Sequence, residues 1–207
     1  MRTRLKICGF TQVHDAVTAA NFGVDAIGLV FYPPSPRNVS IDQALEIVRA
    51  LPAFVTVVAL FVDEQDARIR EVLSKVPIDC IQFHGDEAGE VCGIYNKPYL
   101  KAIRMKPALN VMETADQYRD ASALLLDAYH PGIKGGSGSQ FDWGLIPKEF
   151  SLPIVLAGGL QVDNAKLAIE TVRPYALDVS SGVESSKGIK DVAKMAAFIQ
   201  AIREGDR

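Results

Sequence analysis

The sequence is poor in the residues that cross-link chains or bind metals: it has three cysteines, three histidines and one tryptophan among 207 residues. Cys8, Cys80 and Cys92 are odd in number, so they cannot pair completely, and their spacing matches no zinc motif. Free thiols in a reducing, cytoplasmic compartment are the expectation. His14, His84 and His130 form no Ser/His/Asp or metal set with their neighbours, and carboxylates near strand ends are too few for a two-metal centre. No metal site is expected. Charge of one sign is also scarce: the formal net charge is -3, with no long basic run. That argues against nucleic acid or an anionic membrane as partner, while a small anion needs only local donors. The longest apolar stretch, "FVTVVALFV", is too short to span a bilayer, and "MRTRLKICGF" holds no signal-peptide run.

What is present is a repeat of apolar runs and amphipathic ones. Strand candidates are "TRLKICG", "VDAIGLVF", "FVTVVALFV", "IDCIQFHG", "YLKAIRM", "SALLLDAY", "LPIVLAGGL" and "PYALDVSSGVE". Between and after them, helices are predicted over "TQVHDAVTAANFG", "IDQALEIVRAL", "DEQDARIREVLSKV", "DEAGEVCGIY", "ALNVMETADQY", "DWGLIPKEF", "QVDNAKLAIETV" and "IKDVAKMAAFIQAI". Thr11 is the expected N-cap of the first helix and Gly23 its end. Eight strand–helix units in this length predict one α/β domain over 1–207, a closed (β/α)8 barrel with a parallel sheet. An open doubly wound sheet is second choice, since no G-x-G-x-x-G follows the first strand.

Barrel chemistry gathers at the C-terminal strand ends. Here those ends hold Cys8-Gly9, Arg37, His84-Gly85, Asp127, Gly158-Gly159 and Ser180-Ser181-Gly182. Lys6 and Cys8 share a strand face opposite Leu5 and Ile7, so they are expected to point inward. A lysine there either lowers the thiol pKa or is tied to a carboxylate such as Asp178 or Asp127. Asp127 ends "ALLLD" as a general acid or as a cap for loop amides. Asp178 lies deeper, in a supporting role. His84 is balanced between an active-site and a loop-bracing role, whereas His14 and His130 read as surface residues. The glycine-bearing exits "LAGGL" and "DVSSGVE" fit a phosphate site after strands seven and eight, with "GIKGGSG" as a further donor or a lid.

Taken together, "KICG", "GLVFYPPSPR", "IQFHGDE", "LLLDA", "GGSGSQFDW", "LAGGL", "DVSSGVE" and "KGIKD" resemble the phosphoribosylanthranilate isomerase family of tryptophan biosynthesis over nearly the whole chain. The resemblance implies a (β/α)8 barrel that isomerises an aldose to a ketose by Amadori rearrangement. It needs no cofactor and takes a small phosphorylated substrate bearing an anthranilate carboxylate. It implies Cys8 as general base, Asp127 as general acid and Arg37 on the anthranilate carboxylate. Gln82, His84, Gly136 and Asp178 are implied as substrate contacts, and Gly158, Gly159, Ser181 and Gly182 as phosphate ligands. Phe83 and Ser137 stand where the family often has leucine and threonine, and neither removes a reacting group. Assembly as a monomer or a homodimer is expected. The nearest alternative is the related isomerisation of histidine biosynthesis, which uses an aspartate at the Cys8 position and a substrate with two phosphates. A non-catalytic phosphosugar-binding barrel is a third reading, for which an acid and a base would have no use.

Overall fold

An apolar run can bury both faces only when its sheet neighbours are paired to it and helices cover the outside. A computed structural model, which describes residues 2–106, 109–129, 141–147 and 149–207, shows this arrangement closed on itself. The strands are β1 (Arg4–Cys8), β2 (Ala26–Val30), β3 (Thr56–Phe61), β4 (Cys80–Phe83), β5 (Tyr99–Met105), β6 (Ala123–Ala128), β7 (Ile154–Leu156) and β8 (Ala176–Val179). They form a closed barrel in sequence order, and β1 pairs in parallel with both β2 and β8. Helices α1 (Val13–Asn21), α2 (Ile41–Ala50), α3 (Asp66–Lys75), α4 (Gly89–Cys92), α5 (Val111–Asp116), α6 (Val162–Val172) and α7 (Val192–Gly205) lie between and after the strands.

Strand alternation sorts side chains into separate packing layers. Leu5, Ile7, Ile27, Leu29, Ala59, Phe61, Ile81 and Phe83 belong to the large core between sheet and helices. Ala102, Ala123, Leu125, Val155, Ala157 and Ala176 form a smaller cluster from the opposite strand faces. These residues are mostly small, as the narrow interior of a barrel demands. Cys8, Val30, Leu60 and Val62 make a third cluster with Tyr32 packed against it, at the C-terminal ends of β1 to β3. Lys6 and Cys8 thus take the inward register that alternation predicts.

Several elements differ from the sequence expectation. "DWGLIPKEF" forms only a 3-10 turn, Trp143–Leu145, capped by the Asp142 carboxylate accepting from the Gly144 amide. Gly144 and Pro147 both oppose a longer helix. The cap of α1 is Gln12 rather than Thr11, whose hydroxyl instead donates to the Gly188 carbonyl at 2.6 Å. Gly23 does follow the end of α1, at φ +88°. After β8 the chain makes a 3-10 turn, Ser181–Val183, then a small antiparallel hairpin of β9 (Glu184–Ser186) and β10 (Ile189–Lys190). The final helix therefore starts at Val192, with the Asp191 side chain accepting from the Lys194 amide.

A buried ion pair stiffens the loop leaving β4. Lys101, 2% exposed, donates to the Gly85 carbonyl at 2.7 Å and pairs with the Glu87 carboxylate at 3.0 Å. The other Glu87 oxygen accepts from the amides of Asp63 and Gly85. Removing the ammonium would leave that carboxylate buried without its counter-charge, at a cost of about 3–5 kcal/mol. Lys101→Met is expected to lower the urea midpoint by a corresponding amount. An unchanged midpoint would show that the pair does not hold this loop.

Candidate active site

Cys8 ends β1 at 5% exposure, in register with Gly28 of β2. A Cβ at position 28 would lie 2.6 Å from the Cys8 sulfur, so the missing side chain is the space that the thiol occupies. The sequence alone does not single out Gly28, since a glycine in an apolar strand signals only a close approach of unknown partner. Gly9, at φ +81°, makes room for a second neighbour: a Cβ there would strike the Arg37 stem, 2.4 Å from Cδ. The chain turn at "KICG" is thus shaped by two neighbours, one on each side.

Beneath the thiol, Lys6 Nζ donates to Asp178 Oδ1 at 2.8 Å, with both side chains buried. Of the two sequence alternatives for Lys6, the tie to Asp178 is realised. Burial works against the Lys6 charge, but Asp178 and Cys8 outweigh it and raise the ammonium to about 12. The expected lowering of the Cys8 pKa is not found. Burial pushes the thiol up, Lys6 pulls it down less strongly, and Asp178 adds to the rise. Desolvation dominates because the Lys6 charge is already largely answered by Asp178.

Asp127, near the end of β6, is 6% exposed. Its Oδ2 lies 3.0 Å from His84 Nε2, and its Oδ1 accepts from the Ala128 amide at 2.8 Å. Gln82 Nε2 in turn donates to His84 Nδ1 at 2.8 Å. With Nδ1 accepting, the proton of a neutral ring sits on Nε2 and is directed at Asp127. Gln82 is fully buried, and its Oε1 has no hydrogen-bond partner among the described residues. His84 and Gln82 are therefore placed behind Asp127 as a line of three side chains, a connection that no sequence spacing could show. Asp178 feels both Asp127 and His84, while Cys8 feels Asp178. The thiol and the carboxyl thus share one electrostatic environment.

Arg37 follows β2 and is 8% exposed. Its Nε and Nη2 both donate to the Glu184 carboxylate, each at 2.7 Å. Glu184 also accepts from Lys190 Nζ at 2.9 Å, and Lys190 donates to the carbonyls of Cys8 at 2.6 Å and Ser180 at 3.2 Å. Neither Glu184 nor Lys190 is expected at the site from the sequence. The "DVSSGVE" stretch points to a phosphate exit through its glycine and serines and "KGIKD" to a helix start, and neither draws attention to its Glu184 or Lys190.

Across the barrel, Gly158 and Gly159 leave β7 with φ of +81° and +65°. A Cβ at Gly158 would sit 2.4 Å from the Ala128 amide nitrogen, so this exit packs directly on the end of β6 beside Asp127. Asn164 of α6 donates to the Gly159 carbonyl at 2.9 Å and fixes that turn. Ser181 and Gly182 begin the turn after β8, and all four of these residues are half-buried. Gly136, Ser137, His130 and the rest of 130–140 lie outside the described residues. Among the described residues no group of three His, Cys, Asp or Glu side chains could hold a metal ion. No helix among them is long and apolar enough to cross a membrane.

The chain is a closed (β/α)8 barrel with a thiol, a carboxyl and an arginine at its C-terminal mouth, the end at which barrel enzymes carry their active sites. Comparison with known proteins narrows this class. Residues 5–201 match the family model described as N-(5'phosphoribosyl)anthranilate (PRA) isomerase. The N-(5'-phosphoribosyl)anthranilate isomerase of Nitrosococcus oceani is 56% identical over 202 residues, covering 98% of each chain. That of Pseudomonas aeruginosa is 54% identical over 204 residues, 99% of this chain and 97% of the relative. The crystal structure of the Thermotoga maritima enzyme superposes with TM-score 0.89 at 39% identity, covering 98% of this chain and 99% of that one. A structure of phosphoribosyl anthranilate isomerase in complex with reduced 1-(o-carboxyphenylamino)-1-deoxyribulose 5-phosphate matches at TM-score 0.86 and 38% identity, with coverage of 98% and 99%. The chain belongs to the N-(5'-phosphoribosyl)anthranilate isomerase family and is an isomerase.

The state of the Cys8 thiol is open to direct measurement. Its reaction with iodoacetamide, monitored by mass spectrometry at Cys8, is expected to rise with pH along a curve whose midpoint lies above the ~8.5 of a free thiol. A midpoint near 7 would mean that Lys6 outweighs burial after all.

Proposed function

We propose that the mouth of this barrel converts N-(5-phosphoribosyl)anthranilate to 1-(2-carboxyphenylamino)-1-deoxyribulose 5-phosphate, with Asp127 as general acid and Cys8 as general base. The observation that supports these roles is the placement of both groups, buried, at the C-terminal ends of β6 and β1 with Asp178 electrostatically linked to each. Protonated Asp127 gives its proton to the furanose ring oxygen. The C1–O bond breaks as the nitrogen lone pair forms a C1=N iminium. Cys8 as thiolate then takes the proton on C2, and those electrons form the C1=C2 bond of an enolamine and neutralise the nitrogen. Tautomerisation delivers the ketone. Atoms and charge balance without any external oxidant, reductant or cofactor.

Because the free thiol is held protonated by burial, the thiolate must arise against that penalty. Lys6 and Lys190 are the two cations that lower the cost. The iminium, a positive charge formed during the reaction, lowers it further at the moment the base is required. His84, backed by Gln82, orients the Asp127 carboxyl towards the ring oxygen. Arg37 suits the anthranilate carboxylate through the guanidinium edge that Glu184 leaves free. Val30, Leu60, Val62 and Tyr32 give that side of the mouth an apolar wall suited to an aryl ring. Gly158, Gly159, Ser181 and Gly182 then receive the phosphate on the far side. Binding energy gathered at both unreactive ends holds the sugar between acid and base. The three free, buried cysteines support a cytoplasmic setting for this chemistry.

Purified protein should turn over the anthranilate substrate. Turnover of only the histidine-pathway aldose would overturn this reading. Cys8→Ala and Asp127→Asn are each expected to lower kcat by about 10²–10⁴ with KM within a few-fold. Near-full turnover by either variant would remove that residue from its role.

A further inference from the structure

The ion cluster of Arg37, Glu184 and Lys190 has a cost that fold stability does not explain. All three residues are buried, at 8%, 7% and 4% exposure. Buried ion pairs of this kind are often no more stabilising than apolar residues of the same volume. The cluster lies at the mouth, where a barrel keeps its chemistry rather than its stability. Its geometry is also asymmetric. Glu184 takes the Nε–Nη2 edge of Arg37 with two bonds of 2.7 Å, a bidentate grip that fixes the plane of the guanidinium. Among the described residues Nη1 makes no hydrogen bond. Glu184 accepts from both cations, Arg37 through two nitrogens and Lys190 through one.

Lys190 extends the device to the base. Its ammonium binds Glu184 on one side and, on the other, the carbonyls of Cys8 and Ser180, which end β1 and follow β8. Its backbone amide donates to the Asp15 carboxylate of α1 at 2.8 Å. The hairpin turn is held as well: a Cβ at Gly188 would lie 3.3 Å from the Pro36 carbonyl, next to Arg37, and Thr11 bonds the Gly188 carbonyl. The β9–β10 hairpin thus bridges the loops after β1 and β2. Burial opposes the charge on Glu184, but Arg37 and Lys190 outweigh it and hold its carboxyl below the ordinary range. The Glu184 carboxyl therefore favours its ionised form, while burial, opposed by Glu184, lowers the pKa of Lys190.

We propose that Glu184, with Lys190 behind it, is a positioning residue that aims Arg37 at the substrate carboxylate and couples that grip to the backbone of Cys8. The proposal rests on the assignment of Arg37 to the anthranilate carboxylate, and its test separates the two. The probes are a non-reacting 1-(2-carboxyphenylamino)-1-deoxypentitol 5-phosphate and the same molecule without its carboxylate, titrated by calorimetry into the intact protein. Glu184→Gln is expected to weaken binding of the carboxylate ligand about tenfold and leave the decarboxylated ligand within twofold. A charge-assisted bond lost in orientation has about this effect. Steady-state kinetics should agree, with KM raised about tenfold and kcat changed less than threefold.

Arg37→Ala is measured beside it. If Arg37→Ala weakens both ligands equally, the carboxylate assignment falls. If Arg37→Ala discriminates between the ligands and Glu184→Gln weakens both equally, or neither, Glu184 is a structural partner only and the proposal is overturned. Should Glu184→Gln fail to fold, Glu184→Asp keeps the charge but shortens the reach. It is then expected to show the same selectivity at about threefold, and equal effects on both ligands would again overturn the proposal.

Discussion

The Lys6–Asp178 ion pair is the constraint around which the mouth is arranged. It joins the first strand to the last at the one seam where the barrel must close, since Lys6 and Asp178 face each other in the β1–β8 register. A charge pair buried there is costly unless each partner answers the other, so the seam tolerates little slippage. Cys8 is the next residue of β1 on the same face, and further round the barrel lies Asp127. The groups proposed as base and acid are thus both placed relative to this pair.

Charges at the mouth are layered. The deepest pair is neutral in sum and fixes the strands. Above it, Glu184 joins Arg37 to Lys190 beside the end of β1. Opposite, His84 and Gln82 stand behind Asp127 with no formal charge required of them. An anionic molecule therefore meets a graded field. Cations lie near the thiol and backbone amides near the β7 and β8 exits, while Asp127 sits between them with His84 and Gln82 behind it. This arrangement reconciles a protein of net negative charge with an anionic substrate.

Much of this is legible in the sequence, and the reasons for the gaps are physical. The eight strands are readable because apolar runs such as "VDAIGLVF" alternate with helical periodicity in a fixed rhythm. That Cys8 and Asp127 lie together at strand ends is readable because a barrel gathers those ends whatever the loops do, whereas their roles and that of Arg37 rest on the family resemblance. The short turn at Trp143 reads as a helix in sequence because apolar spacing there masks Gly144 and Pro147. The β9–β10 hairpin escapes notice because strands of two and three residues have no period to detect. Glu184 and Lys190 meet Arg37 and Cys8 across 147 and 182 residues, a separation that no local pattern spans. The direction of the Cys8 shift is hidden too. A sequence shows a neighbouring lysine but not how dry the thiol is, nor that Asp178 has already claimed that lysine.

Gly28 makes the site depend on a vacancy in the adjacent strand. The thiol and the bare backbone opposite it are two halves of one fitting, and the bulk allowed at position 8 is set by position 28. The residue that position 8 can hold in this barrel is therefore not a property of β1 alone. A heavier base can be accommodated only while its neighbour remains empty, and any side chain added to β2 at that point would evict the sulfur from between Lys6 and the barrel mouth. In the history of such a fold, and in any attempt to redirect its chemistry, these two positions must change as a pair.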